Sequence, residues 1–499
     1  MGVAAFGLAG LYATLVVVTN GSSSVLTPLM AAVVGLAIFA EPVVGVYVLF
    51  GIALLFEQFV ITGLEPITAQ TRLYQNLSAY TPIPLRLSIA DLLIGLTFAC
   101  WAVRRQRDER FRMGPLGWAV VAYAAVFFIG LVIGAARGGQ FDSVVALAEL
   151  HGPLTACFLY FLAANLIRTR TQLLILMWEF LAVIGLKAFE DLMNYRDSLS
   201  VHFGVESVTS HEDVIFFGLA IVVAMVLAVL GVRTRYSWTL FALQPLILAG
   251  ELVAARRAGF IALGAVFLVT IVLTVTGNGR RGIVLAAIGA VAALAYIGVF
   301  WDAEGTFAGP LRALRSVIDP GAVAFRDQSS NLWRDIENQN IAFTMRQLPF
   351  TGVGLGQEYI FQREPVAIDG FPYWRYETHN ALLWLWLKAG PLGAFALWFL
   401  VARVLLVGSA LYLRLRRSDL RWVAVAPVAL MVLQIVFSAV DLGLTYSRTM
   451  IVLGTILGVT AFLVEHDKSE AAAGTPAAAA IRPSAGRTVI RMPGRVGAV

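Results

Sequence analysis

The amino-acid sequence predicts an all-α protein that crosses a membrane many times, with about 14 transmembrane helices. Hydrophobic residues make up 59% of the 499 residues, charged residues make up only 14%, and the mean hydropathy is +0.80. So few charged residues cannot cover the surface of a water-soluble protein of this length. Apolar stretches of about 20 residues, the length that a helix needs to cross a bilayer, follow one another along nearly the whole chain.

The predicted spans follow in chain order. Only Glu41 and Pro42 separate the second span from the third, so these two could instead form a re-entrant pair, and the count lies between about 12 and 14. The first span lacks a basic flank and a small-residue cleavage site, which predicts that it is retained rather than removed as a signal peptide. The spans are 4–19, 25–40, 43–63, 87–103, 115–135, 145–166, 173–190, 214–232, 238–255, 260–276, 283–300, 391–413, 422–444 and 449–465.

Arginine is concentrated in alternate loops, which predicts the orientation of the chain. Loops that face the cytoplasm carry an excess of Lys and Arg. The net charge of +6 therefore reflects topology, and we do not expect nucleic-acid binding. We assign to the cytoplasm both termini and the loops that carry Arg104, Arg105, Arg107, Arg110, Arg112, Arg168, Arg170, Arg233, Arg235, Arg280, Arg281, Arg414, Arg416, Arg417 and Arg421.

The predicted organisation has four parts. Residues 1–300 form an N-terminal transmembrane bundle of about 11 helices, and residues 301–378 form one large, partly helical extracytoplasmic loop. Residues 379–465 begin with an interfacial helix that carries a histidine and continue into the last spans. Residues 466–499, rich in Ala, Pro and Arg, are expected to form a disordered cytoplasmic tail. A long loop in a compact membrane protein commonly covers or binds a substrate.

A glycine pattern lies near the end of that loop. Gly352, Gly354 and Gly356 alternate with apolar residues, and missing side chains let another chain or a phosphate approach the backbone closely. A tight turn at the membrane surface is the simpler interpretation. A nucleotide-binding loop is disfavoured, because no Gly-Lys-Ser/Thr follows.

His379 and Asn380 lie where the polar loop becomes an apolar helix. An imidazole at this position can contact both an acceptor substrate in water and a donor substrate held in the lipid. Its ordinary pKa suits a general base near neutral pH. A structural hydrogen bond is the alternative. His202, His211 and His379 are all predicted on the same side, but they lack the helical spacing of metal ligands, so we expect no metal site and no cofactor.

Arginines on the extracytoplasmic side are the second candidate group. Arg256 and Arg257 lie between two spans at a surface where the topology rule disfavours positive charge. Arg334 and Arg346 precede the glycine pattern. Guanidinium groups could hold a diphosphate through paired N–H donors. A solvated salt bridge is the alternative for each of them, and Asp335 and Glu337 are nearby partners for Arg334.

Carboxylates in or beside the spans are the third group, because ionisable residues there are costly. Glu149, next to His151, and Asp441 are the supporting candidates. Asp213 and Asp91 are expected to cap helices. The ammonium groups of Lys187 and Lys388, near span ends, are expected to reach towards water.

Three motifs in this order resemble the bacterial O-antigen ligase and polymerase superfamily. Arg257-Ala258-Gly259 resembles the Ser-Arg-Gly element of that family, with Arg256 in place of Ser. Arg334 to Asn338, upstream of Pro349 to Gly356, resembles an Arg-x3-Trp stretch before Pro-Leu-x-Gly-Val-Gly, with Asn338 for Trp and Phe350 for Leu. Thr378-His379-Asn380-Ala381-Leu382 resembles the His-Asn-x-Leu helix. The resemblance covers roughly residues 240–415.

The resemblance implies a metal-independent, inverting glycosyltransferase at the outer face of the cytoplasmic membrane. The donor would be a polyprenyl-diphosphate-linked glycan, and the acceptor a glycan, lipid or protein hydroxyl. His379 would be the general base. Arg257 and Arg334 would bind the diphosphate, with Arg346 and Arg256 as secondary candidates. The motifs do not separate a ligase from a polymerase.

Three other classes stay open. A secondary transporter would place polar residues at the membrane midplane on broken helices and show two related halves, and no internal repeat is visible. A glycosyltransferase that uses polyprenyl-monophosphate sugars usually has an acidic pair in its first outer loop, whereas residues 64–86 contain only Glu65. A non-catalytic partner of polysaccharide assembly is the third class.

Overall fold

The computed structural model describes residues 23–474, except 60, 62–63, 65, 80, 82–84, 106–109, 201–207, 304, 319–324, 368–370 and 416–417. Within this part of the chain all regular structure is helical. The helices are α1 Ser23–Ala40, α2 Val43–Leu55, α3 Ile89–Arg104, α4 Gly117–Arg137, α5 Ser143–Leu166, α6 Arg170–Ser198, α7 Asp213–Leu230, α8 Arg235–Ala254, α9 Arg257–Asn278, α10 Arg280–Phe300, α11 Gly309–Ile318, α12 Phe325–Gln347, α13 Ala381–Arg414, α14 Val425–Ser438 and α15 Ser447–Gly474.

The all-helical, polytopic fold class is confirmed. Ten helices in the described part are long and apolar enough to cross a membrane: α4 to α10, α13, α14 with the turn before it, and α15. Three further predicted spans coincide with α1, α2 and α3, which are shorter or less extensively described. The first predicted span, 4–19, and the tail beyond 474 lie outside the described residues. The count of 14 therefore stays a prediction.

The bundle is organised around α15 and α7. Almost all of the apolar window of α15 is buried, and so is most of α7, whereas α10 buries only Gly282 and lies at the periphery. Small residues allow the closest packing. Gly454 and Gly458 of α15 face the backbone of α5 at Ala156 and Tyr160, where a Cβ atom would collide. Van der Waals contact between small residues is the main source of helix association in a bilayer.

The two ends of the bundle differ in charge. At one end, Arg112 pairs with Glu465 at 2.7 Å, Arg170 pairs with Asp419, and Arg421 donates to Asn278 at 2.7 Å. The arginine-rich loops of the sequence therefore meet at this end, which we call the Arg-rich end. At the opposite end α9 and α13 begin and α12 packs against them. We call it the site end.

Several predicted boundaries differ from the structure. Helix α2 ends at Leu55, eight residues before the predicted end of its span at 63, and α15 continues to Gly474, nine residues into the predicted disordered tail 466–499. Helix α6 continues to Ser198, eight residues beyond the predicted end of its span at 190. Asp191 and Asn194 of this extension are buried, and Asn194 donates to the Val208 carbonyl at 3.0 Å, whereas Arg196 and Asp197 are exposed.

The predicted interfacial helix and the predicted span 391–413 correspond to the two helical segments of α13, which are separated by non-helical backbone at Gly390, where φ is 64°. The segment 301–378 is partly helical as expected, since it contains α11 and α12.

Candidate functional site

His379 is held at the start of α13 by its neighbour. Asn380 is the N-cap of α13, and its side-chain oxygen accepts a hydrogen bond from the Leu383 N–H at 3.2 Å. A cap of this kind satisfies one of the N–H groups that the first helical turn leaves without a partner. The Asn380 amide also donates to Asn338 Oδ1 of α12 at 3.3 Å. The residue that sequence analysis placed in a supporting role thus joins α13 to α12 beside the histidine.

Glu337 of α12 orients the imidazole of His379. Both carboxylate oxygens accept the His379 backbone N–H at 3.1 Å, and Glu337 Oε1 lies 3.2 Å from His379 Nδ1. The carboxylate is 1% exposed and the imidazole is 20% exposed. The Trp333 ring lies edge to face against the imidazole, with centroids 5.0 Å apart. A carboxylate at Nδ1 leaves Nε2 as the nitrogen that can accept a proton.

One side of α12 carries Arg334 together with the residue that contacts Arg257 and the residue that contacts Asn380 beside His379. Asn331, Arg334 and Asn338 have i, i+3 and i+7 spacing, so they form one stripe along the helix. At one end of the stripe Asn331 accepts from Arg257 at 3.4 Å, and at the other end Asn338 accepts from Asn380. Arg334 lies between them and is partly exposed. It has no hydrogen bond or ion pair with any residue that the structure describes.

A second histidine and carboxylate pair completes the site. His211 Nδ1, from the turn before α7, lies 2.9 Å from Asp441 Oδ2, between α14 and α15. The other oxygen of Asp441 accepts from the Tyr446 hydroxyl and from the Leu442 N–H, both at 2.8 Å. The imidazole is 43% exposed, while the carboxylate is 10% exposed. The Asp441 carboxylate is therefore largely buried against the His211 ring, and the rest of that ring is accessible to solvent.

Electrostatic effects connect the two pairs with Arg256. Burial alone would raise the pKa of Asp441, but the charge and hydrogen bond of His211 and the charge of His379 outweigh burial and hold this pKa well below its usual range. The charge of Arg256 acts on Tyr446, whose hydroxyl is bound to Asp441. We call His379, Glu337, His211, Asp441, Arg256, Arg257 and Arg334 the candidate site.

Arg346 does not join these residues. It lies 12 residues beyond Arg334 on α12, which corresponds to roughly 18 Å along the axis. It lines an open groove with Ala342, Met345, Pro349, Leu383 and Trp386. The sequence placed it with Arg334 because both precede the glycine pattern, but about half the length of α12 separates their positions.

The glycine pattern is enclosed by protein. Gly352, Gly354 and Gly356 have φ values of 65°, 92° and 70°, which favour glycine. A Cβ atom at Gly354 would collide with the backbone of Gly134 in α4. The N–H groups of residues 352–356 donate to the carbonyls of Leu348, Leu387, Lys388 and Gly130 and to Glu149. The backbone therefore approaches another part of the chain, and none of these five donors is left for a phosphate.

Glu149 binds this loop rather than His379 or His211. It accepts the Gly356 N–H at 2.6 Å and pairs with Lys388 at 2.8 Å. Lys388 is 1% exposed and also donates to the Gln357 carbonyl at 2.6 Å. The prediction that its ammonium reaches towards water is wrong, because the buried carboxylate and carbonyl compete successfully for it.

A second group of charged residues, the buried ion cluster, is centred on Arg448, two residues after Tyr446. Arg448 donates to Glu57 at 2.8 Å and to Asp213 at 2.7 Å, and Lys187 pairs with Glu57 and with Glu190 at 2.9 Å. Lys187, Arg448, Glu57 and Asp213 are 0% exposed. The predictions that Lys187 reaches towards water and that Asp213 caps a helix are wrong, because these groups bind one another. The buried ion cluster consists of Glu57, Lys187, Glu190, Asp191, Glu212, Asp213 and Arg448.

Sequence analysis missed two members of the candidate site. Glu337 was considered only as a partner of Arg334, yet it binds His379, 42 residues away. His211 was weighed only as a metal ligand. Its position directly before an apolar span was a usable signal, because polar groups at such boundaries meet in the folded bundle. The cap formed by Ser88 and Asp91 is confirmed, and Asp91 also contacts His151 at 2.6 Å.

Among the described residues, no group of three or more His, Cys, Asp and Glu side chains is arranged to hold a metal ion. No protein-family model matches the chain, and no curated protein matches it.

Proposed function

We propose that this protein is a membrane glycosyltransferase of the O-antigen ligase and polymerase type. It transfers or polymerises glycan from a polyprenyl-diphosphate donor onto an acceptor hydroxyl. The observation that carries the proposal is the oriented pair of His379 and Glu337 beside Arg257 and Arg334 at one end of an apolar bundle. This arrangement combines a base with cationic groups suited to a leaving diphosphate.

His379 supplies the base. With its Nδ1–H held by Glu337, Nε2 accepts the proton of the acceptor hydroxyl as the hydroxyl oxygen bonds to the anomeric carbon. The buried carboxylate also stabilises the imidazolium that forms, as in other pairs of histidine and carboxylate. Asn380 fixes the backbone at this point through the cap of α13. Attack from the side opposite the diphosphate would invert the anomeric centre.

Arg257 and Arg334 compensate the charge of the departing diphosphate. The bond between the anomeric carbon and the diphosphate oxygen breaks, and its electron pair stays on that oxygen. Guanidinium groups offer paired, planar N–H donors to phosphate oxygens. Arg257 is already positioned by Asn331, so little reorganisation is needed when charge develops.

The site end is proposed to face the outside of the cytoplasmic membrane, with both termini in the cytoplasm. The concentration of arginines at the opposite end supports this orientation, because cytoplasmic loops are enriched in basic residues. The polyprenyl chain of the donor would then lie among the surrounding membrane lipids, with its diphosphate at the level of α9 and α13.

Transport coupled to ions is the second candidate function, and the buried ion cluster favours it. Ionisable groups inside a membrane protein commonly mark transport pathways. However, the cluster lies at the end of α2 and the starts of α7 and α15, whereas coupled sites of transporters usually lie at the midplane.

Reconstitution into vesicles tests the proposed function. The purified protein receives a defined polyprenyl-diphosphate oligosaccharide and a second lipid-linked oligosaccharide as acceptor. We expect one polyprenyl diphosphate to be released for each glycan joined, without added nucleotide sugar. Release without a joined glycan, or no reaction together with uptake of a solute, would contradict the proposal and favour hydrolysis or transport.

A further inference from the structure

The candidate site contains two imidazoles, each with a buried carboxylate at Nδ1. A single displacement at an anomeric carbon needs only one base, so the base assigned to His379 does not account for the second pair. His211 is 43% exposed and backed by Asp441, so its ring is presented to the site while its charge is balanced from behind. Such an arrangement is suited to holding and releasing a proton.

The surroundings of His211 include charged groups from several elements. Asp441 and Tyr446 contact it from the segment before α15, with the Tyr446 ring centroid 6.5 Å away. Glu212 and Asp213 follow it in the chain but are directed to Arg448, at 3.6 and 2.7 Å. The charges of Arg256 and His379 reach the same Tyr446 and Asp441 pair. The carboxylates of the buried ion cluster are thus bound elsewhere, and Asp441 is the carboxylate that hydrogen-bonds to His211.

We propose that His211, positioned by Asp441, is the general acid that protonates the leaving diphosphate, opposite the base His379. This proposal rests on the proposed function and deepens it. His211 lies two residues before α7, and Val214 in the first turn of α7 packs against Gly259 in the first turn of α9, which begins with the diphosphate ligand Arg257. An imidazolium here donates through Nε2 to a phosphate oxygen, because Nδ1 is engaged by Asp441.

The proton balance is closed within one turnover. The acceptor oxygen bonds to the anomeric carbon, and its proton passes to His379. The bond to the diphosphate oxygen breaks with its electron pair, and a diphosphate oxygen takes a proton from His211. The product is a glycoside and a protonated polyprenyl diphosphate. His379 then releases one proton to water and His211 takes one up, which restores the starting state.

A plot of reaction rate against pH should therefore have a rising limb and a falling limb, as for any reaction that needs one base and one acid. We expect His211→Gln to lower kcat by about 10²-fold and to abolish the falling limb while keeping the rising limb. Asp441→Asn should move the falling limb to lower pH by about one unit, because the imidazolium loses its counter-charge.

His466→Gln is the matched control, since this histidine lies at the Arg-rich end beside Ser418 and Glu470. It should leave both limbs unchanged. Thermal melting checks that His211→Gln folds like the wild type. Transfer by His211→Gln with an intact falling limb, or loss of the rising limb instead, would overturn the assignment while the proposed function stands. Absence of transfer by the wild type would overturn both.

Discussion

Two groups of ion pairs lie at the same end of the bundle and differ in their access to solvent. In the candidate site the carboxylates of Glu337 and Asp441 are buried, while the imidazoles are 20% and 43% exposed. In the buried ion cluster, Arg448 and its partners are 0% exposed. An open imidazole can exchange a proton and meet a substrate. A sealed pair can do neither, so the cluster acts by joining helices.

The contacts of Arg448 illustrate the difference. Besides its two carboxylates, the guanidinium donates to the carbonyls of Ala53 and Leu54 at 2.9 and 3.2 Å. These carbonyls belong to the last turn of α2, where no intrahelical donor remains. Arg448, at the start of α15, thus donates hydrogen bonds both to the carbonyls at the end of α2 and to Asp213 at the start of α7. The comparison predicts that changes in the cluster affect folding, whereas changes in the candidate site affect turnover.

The largest effect is expected from Arg448→Ala. Removing one partner of a buried ion pair leaves a buried charge unpaired, which costs about 3–5 kcal/mol. Little folded, monodisperse protein should be recovered, and any that is recovered should melt at a much lower temperature. Arg112→Ala is the matched control, because the ion pair of Arg112 with Glu465 is partly exposed and such pairs contribute about 0–1 kcal/mol. Equal melting temperatures for the two variants would contradict the structural role of the cluster.

Arg334→Ala should reduce transfer strongly without changing the melting temperature. Loss of one group that stabilises developing charge commonly lowers kcat by about 10²–10³-fold. Arg334→Lys should restore little, because an ammonium lacks the paired N–H geometry. Steady-state kinetics with the lipid-linked donor measures both variants. Arg346→Ala, which removes the same group from the separate groove, should have a smaller effect. A larger loss in Arg346→Ala than in Arg334→Ala would move the diphosphate to that groove.

A smaller effect concerns the pH dependence of stability. Burial, aided by the nearby Glu149 carboxylate, raises the pKa of Glu377 to about 8 from an ordinary value of 4.5, against the opposing charge of Lys388 and a hydrogen bond from Thr445. The folded state thus prefers the protonated acid. This contribution to stability is complete below pH 4.5 and is lost as the pH rises through 8.

Glu377→Gln should therefore flatten the decline of the melting temperature between pH 6 and 9 by a few degrees. At pH 5 the variant and the wild type should melt at similar temperatures. Glu465→Gln, a partly exposed carboxylate at the Arg-rich end, is the control. An unchanged slope in Glu377→Gln would show that Glu377 is already ionised in the folded protein at neutral pH.

The sequence predicted most of the fold, because hydropathy alone reports on helices that must satisfy their own backbone in lipid. The spans around α4 to α10 are examples. It could not predict where α6 ends, since the burial of Asp191 and Asn194 depends on tertiary contacts rather than on a local signal. The break at Gly390 separates the two predicted helices within α13, and a Cβ atom there would collide with the Phe350 carbonyl just before the glycine pattern.

The candidate site was predicted in part. His379, Asn380, Arg257 and Asp441 were chosen from local patterns and lie together or are linked by direct contacts and charge effects. Their partners could not be found locally, because Glu337 and His211 reach the site through folding of distant segments. Arg346 resembles Arg334 in sequence context, but the helical rise of α12 places the two residues roughly 18 Å apart along the helix axis.

The most direct test of the account compares His379→Ala with His466→Ala in the reconstituted transfer assay. The backbone N–H of residue 379 still donates to Glu337 in the variant, so His379→Ala should stay folded while kcat falls by about 10²–10⁴-fold. His466→Ala, the same change at the Arg-rich end, should keep wild-type turnover. Wild-type turnover in a folded His379→Ala variant would contradict the central claim that this imidazole is the base.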